Sequence, residues 1–138
     1  MGNGKFLSTY TGWIIAANIV FYVGVLILIN SVGDAAAISL VALMPSTALV
    51  GQNLWTFITS MFMHAGFAHL LVNMISLMFI GNFVEKLIGK KRFIWLYFVG
   101  GLFAGVLFVL VAFFTSVDLN VYAVGASGAI FALGGLLA

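Results

Sequence analysis

Ser127 stands in the stretch Gly125-Ala126-Ser127-Gly128, at the start of an apolar run. A serine hydroxyl is a poor nucleophile at its free pKa, and it becomes reactive only beside a proton acceptor and in front of donors that receive a developing oxyanion. Candidate donors lie upstream. His69 and Asn73 are four residues apart, so on a helix they share a face, about 40 degrees of rotation and one turn of rise from each other. An imidazole and a carboxamide aimed at one point suit the oxyanion formed when Ser127 attacks a carbonyl. The Ser127 amide is a third candidate donor, because the first N–H groups of a helix have no intrahelical partner. Gly125 and Gly128 fit a tight entry into that helix and close packing against a neighbour.

The elements that must position these groups are membrane helices. Of 138 residues 64% are hydrophobic and 6% are charged, and the mean hydropathy is +1.28, values that exclude a water-soluble globule and fit a polytopic all-α transmembrane bundle. Four of the five basic residues, Lys86, Lys90, Lys91 and Arg92, form one cluster. With no basic or interleaved aromatic surroundings, it reads as a topology signal and not as a nucleic-acid surface. The chain has no cysteine, which excludes disulfides and thiol chemistry. An N-terminal signal peptide and a myristoylation signal at Gly2 are both discounted, the first because the apolar run is too long and the second because Phe6 replaces the required Ser or Thr.

Apolar length predicts spans over about 13–30, 66–87, 93–114 and 125–138, the last still short of the ~20 residues a crossing needs. Tyr10 and Trp13 anchor one interface of the first, and Gly101 and Gly105 give the third a small-xxx-small spacing that admits another helix. Residues 31–64, broken by Gly33, Asp34, Pro45, Gly51, Gln52 and Asn53, form a loop without a full span. With Trp55, Phe57 and Phe62 in its latter part, it is expected to lie in the interface as short amphipathic pieces. His69, Asn73, Ser76 and Asn82 interrupt the second span and should face protein or water. The basic cluster places the loop between the second and third spans in the cytoplasm, and the amino terminus with it, in agreement with Lys5. Ser127, His69 and Asn73 then share one depth near the outer face.

On these residues the chain resembles the rhomboid intramembrane serine proteases. The resemblance rests on Gly125-Ala126-Ser127-Gly128, on His69-Leu70-Leu71-Val72-Asn73, on His64 ahead of that helix, and on Val84-Glu85-Lys86 with Gly89. It covers roughly residues 55–138. It implies a single rhomboid-type domain over 1–138 containing about four of six core helices. Ser127 is then the nucleophile, His69 and Asn73 line the oxyanion hole, and Gly125 and Gly128 support the turn and its packing. The implied substrate is a transmembrane protein segment in the lipid bilayer of a cell or inner membrane, with no cofactor and no metal. The family's base is a histidine on a sixth helix, so the remaining carboxy-terminal helices are expected beyond residue 138, and residues 1–138 alone are expected to be inactive. One departure is Trp55-Thr56, where the family often has Trp-Arg.

Other readings stand beside this one. Ser127 also fits a plain helix-packing residue, and His69 an interhelical hydrogen-bonder. His64 reads as a local hydrogen-bonder, and Glu85 as an ion pair or helix cap beside the basic loop. His64 and His69 as a metal pair are disfavoured, since five residues on a helix turn them about 140 degrees apart. A non-catalytic rhomboid-like protein that binds transmembrane clients is the alternative function. A channel ranks last, because only Ser76 and Gly81 break the apolar run between Asn73 and Asn82.

Overall fold

A computed structural model describes residues 6–115 and 117–138. Lys5 and Gly2, used above for orientation and acylation, lie outside these residues. The architecture is all-helical, with three helices long and apolar enough to cross a membrane: Tyr10–Val32, Phe67–Ile88 and Lys90–Phe114. A fourth helix, Ser127–Gly135, carries the candidate serine. It begins two residues later than the apolar run, because Gly125 has a φ of +113°, outside the helical region. The loop between the first two long helices contains three short helices, Asp34–Val41, Pro45–Ala48 and Thr56–Thr59, the second opened by its proline.

The first and second long helices are locked together by one carboxylate. Glu85, buried on the second, accepts from the amides of Tyr10 at 2.9 Å and Thr11 at 2.8 Å and from the Thr11 hydroxyl at 2.8 Å. Those amides open the first helix, where unpaired N–H groups carry partial positive charge, so the anion caps it from another element. Among the described residues Glu85 therefore acts as a cap and makes no ion pair. Gly81 lies under the same threonine, with the position of a Cβ only 2.9 Å from the Thr11 methyl.

Within the second helix, Leu77–Gly81 widens into a π turn. Such a turn disturbs the carbonyl ladder, and Asn82 Nδ2 donates to the Met78 carbonyl at 2.6 Å. Elsewhere, polar side chains in apolar helices bond one turn back: Asn18 to Ile14, Asn30 to Leu26 and Thr115 to Val111. Asn73 is buried, and His69, Ser76 and Asn82 are half-buried, so none of the four faces lipid fully exposed.

The serine helix packs on the third long helix through small residues. A Cβ on Gly100 would lie 2.2 Å from the Ala132 methyl, and one on Gly128 would lie 2.6 Å from that of Ala104. The pairing of helices therefore runs along Gly100 and Ala104, with Gly101 also facing the Ala129 methyl of the serine helix, while the expected Gly105 does not take part. Those two glycines chiefly seat the loop, Gly101 under Met61 and Gly105 under Phe57 and Leu43. Phe57 and Phe62 consequently turn inward. Phe62 packs between Phe21 and Phe98, with ring centroids 6.1 and 6.2 Å away. Only Trp55 of the three expected interface aromatics is exposed, its indole N–H donating to the Leu40 carbonyl at 2.8 Å.

Removing the Glu85 cap leaves one buried amide, one part-buried amide and a buried hydroxyl unsatisfied. Glu85→Ala is expected to lower stability by about 3 kcal/mol, read as the thermal unfolding midpoint in detergent micelles. Glu85→Gln should lose less, because one amide oxygen still accepts.

Candidate functional site

Two loops bring the serine to the second helix. The segment leading to Ser127 is stitched to the 31–64 loop by backbone bonds. Leu43 and Ala123 pair in both directions at 3.2 and 2.9 Å, and the Ser46 amide donates to Leu119 at 2.9 Å. Nearest the serine, the Gly125 amide donates to the Ser60 carbonyl at 2.8 Å. No sequence motif marked Ser60, because its carbonyl does the work and any residue supplies one.

Gly125 touches the imidazole directly. A Cβ at this position would stand 2.9 Å from His69 Cε1 and Nε2 and 3.7 Å from Asn73 Nδ2. The glycine is thus required twice, for its left-handed φ and for the room its missing side chain leaves. Ser127 follows as the first residue of its helix, half-buried, and no side chain caps that helix. Its amide has no intrahelical acceptor by position.

The donors are oriented by their own neighbours. The Ala65 amide approaches His69 Nδ1 at 3.4 Å, which selects the neutral tautomer with its hydrogen on Nε2, the atom against Gly125. Asn73 Nδ2 donates one hydrogen to the His69 carbonyl at 3.0 Å and has a second to offer. Asn73 and Ser127 line one open groove of about 590 Å³ between the second and serine helices, together with Ser76 and Ile130. On its other side Ser127 lines a smaller cavity of about 180 Å³, shared with Ser60, Gly101 and Gly125. That space is polar at one wall and large enough for water.

His64 sits behind His69, ring edge to ring face at 5.1 Å between centroids and 65° between planes. Its Nδ1 lies 3.1 Å from the Phe62 carbonyl and must donate, so Nε2 bears a lone pair, buried and without a partner among the described residues. Burial in apolar surroundings pulls His64 down from 6.5 to about 4, helped by the nearby His69 and opposed by the Phe62 bond. The structure brings together four of the five proposed site residues, Ser127, His69, Asn73 and Gly125, and uses Gly128 to seat their helix against Ala104.

A family profile described as Rhomboid domain matches residues 51–138. The chain belongs to the rhomboid family. It is 37% identical over 82 residues to a putative rhomboid protease, YdcA, of Bacillus subtilis, covering 59% of this chain and 39% of that protein. It is also 33% identical over 138 residues to the rhomboid protease GluP of the same organism, covering 98% of this chain and 25% of GluP. An Arabidopsis thaliana relative named Inactive RHOMBOID-like protein 8 is 34% identical over 59 residues, covering 43% of this chain and 17% of that protein. The chain therefore spans well under half the length of these relatives. Family and apolar helices together make it part of an integral membrane protein.

Two outcomes check this rhomboid site. Gly125→Ala must push the His69 ring aside and strain the backbone, so it should lower stability by about 1–3 kcal/mol, read as the thermal unfolding midpoint in detergent micelles. For His64 the unfolded state takes up a proton as pH falls below 6.5 while the folded state does not. Stability is then full above pH 6.5, declines toward about pH 4 and levels off below it. His64→Gln should flatten that part of the pH profile.

Proposed function

We propose that the protein is an intramembrane serine endopeptidase that cleaves transmembrane segments of other proteins near the outer membrane face. The observation that supports this reading is the close approach of the Gly125 backbone, two residues before Ser127, to the His69 ring and the Asn73 amide. A substrate segment that unwinds into the groove between the second and serine helices meets Ser127 with its carbonyl. The serine oxygen forms a bond to the carbonyl carbon and passes its proton to a base, while the carbonyl electron pair moves to oxygen. His69 Nε2–H, the second hydrogen of Asn73 and the Ser127 amide receive that oxyanion. Collapse of the intermediate breaks the C–N bond, the leaving amine takes the proton, and water then hydrolyses the ester. The small cavity beside Ser60 offers that water a place in an otherwise apolar region.

His69 is poorly placed to be the base, since its Nε2 carries hydrogen and its Nδ1 faces Ala65. The resemblance to the rhomboid proteases implies a histidine on a further helix as the base, and this reading adopts it. With the basic cluster on the cytoplasmic side, the amino terminus is cytoplasmic too. A second reading, a non-catalytic protein that binds transmembrane clients, is favoured by the relative named as inactive.

Ser127→Ala in the full-length protein should lower cleavage of a membrane-embedded substrate by about a thousandfold or more and abolish fluorophosphonate labelling. Unchanged cleavage removes Ser127 from its role. A wild-type protein that neither cleaves nor labels favours the non-catalytic reading.

A further inference from the structure

The proposed chemistry leaves the basic cluster of Lys86, Lys90, Lys91 and Arg92 unused. In the structure it gathers where the second long helix ends and the third begins. Lys86, Lys90, Lys91 and Arg92 are all exposed, and the last three form the first turn of the helix Lys90–Phe114. No side chain caps that helix, so its unpaired amides add partial positive charge to three cations. Helix starts favour acidic residues, and here like charges stand at the positive end instead. The acids among the described residues do not relieve this. Glu85 is buried and committed to the start of the first helix, while Asp34 and Asp118 lie past the opposite ends of the first and third helices. The cluster is short of an anion.

An apolar groove of about 480 Å³ starts at the same end of the bundle, between the first and third long helices. Tyr10, Trp13 and Ala17 form one wall at helical spacing, Ile94 and Phe98 form the other, and Phe62 contributes from the loop. Lys90 ties the charge to the groove, for its ammonium donates to the Ser8 carbonyl at 2.9 Å and lies 5.4 Å from the centre of the Tyr10 ring. Two of its hydrogens remain to be used. Lys90, Ile94 and Phe98 follow one another at intervals of four residues, so cation and groove wall belong to one face of the third helix.

We infer that this groove binds one anionic phospholipid, its phosphate held by Lys90, Lys91 and Arg92 at the uncapped helix start and an acyl chain laid between Tyr10, Ala17, Ile94 and Phe98. A lipid is the occupant because charge and groove are continuous at a membrane boundary, and an anionic phospholipid carries phosphate and hydrocarbon in one molecule. A free phosphate leaves the groove empty, and a neutral lipid leaves the cations uncompensated.

The test uses full-length protein in nanodiscs of phosphatidylcholine, with and without added phosphatidylglycerol. Native mass spectrometry counts the lipids retained, and thermal unfolding reports stability. Wild-type protein should keep phosphatidylglycerol in preference to phosphatidylcholine and unfold at a higher temperature when it is present. Lys91→Gln with Arg92→Gln, both at exposed positions, should cut that preference roughly tenfold. Ala17→Phe should fill the groove and remove the retained lipid, and Ile94→Trp does so from the opposite wall should the first variant fold poorly. Equal retention of both lipids by wild-type protein overturns the inference, as does a preference that survives the charge and groove variants. Inorganic phosphate giving the same stabilisation in phosphatidylcholine discs overturns it in favour of a simple anion site. A photo-crosslinker at position 17 that captures a protein segment instead of lipid assigns the groove to a helix and overturns it as well.

Discussion

The backbone of Gly125 passes so close to the His69 imidazole that a Cβ there would lie 2.9 Å from two ring atoms, and much of the molecule is arranged to hold that approach. From one side the serine helix is set by Gly100 against Ala132 and by Gly128 against Ala104, contacts that let two helix backbones come unusually near. From the other, the second long helix is held to the first by the buried Glu85 carboxylate. Between them the loops share backbone hydrogen bonds, ending in the one from Gly125 to Ser60. If any of these supports moves, the donors and the serine separate.

Polar chemistry inside an apolar bundle costs free energy unless each group has a partner. Several polar side chains here bond to a carbonyl one turn back, as Asn82 and Asn73 do. Asn73 spends one hydrogen on its own helix and keeps another, and His69 keeps Nε2–H pointed at Gly125. His64 keeps a buried lone pair with no partner among the described residues. Buried polar atoms without a partner among the described residues are found near the site, at His64 Nε2, and also away from it, at Asn18 Oδ1 and the Tyr97 hydroxyl.

Much of the arrangement was legible in the residues. Apolar length marked the long helices, and the four-residue spacing of His69 and Asn73 put them on one face. The loop was legible as a loop, from Pro45 and its neighbouring polar residues, but its depth was not. Phe57 and Phe62 look like interfacial aromatics in a linear chain, and what turns them inward is the space above Gly105 and the rings of Phe21 and Phe98. The glycine spacing misled in the same way. Gly101 and Gly105 fit a helix-pairing motif, yet Gly100 and Ala104, one residue back, make the closest approaches, with Gly101 beside Ala129 and Gly105 under the loop, since helix rotation is set by all of a helix's neighbours together.

The sequence by itself determined which segments are long and apolar enough to cross a membrane and which few residues could do chemistry, because hydropathy and residue type are local properties read one helix at a time. Tertiary structure alone decided that Gly125 meets His69, that Glu85 caps a helix seventy-odd residues away, and that the Lys90 cluster heads an apolar groove. Each of these depends on the angle and rotation at which separate helices pack. Those are fixed by the sum of many small contacts distributed over the chain, and no single stretch of sequence contains them.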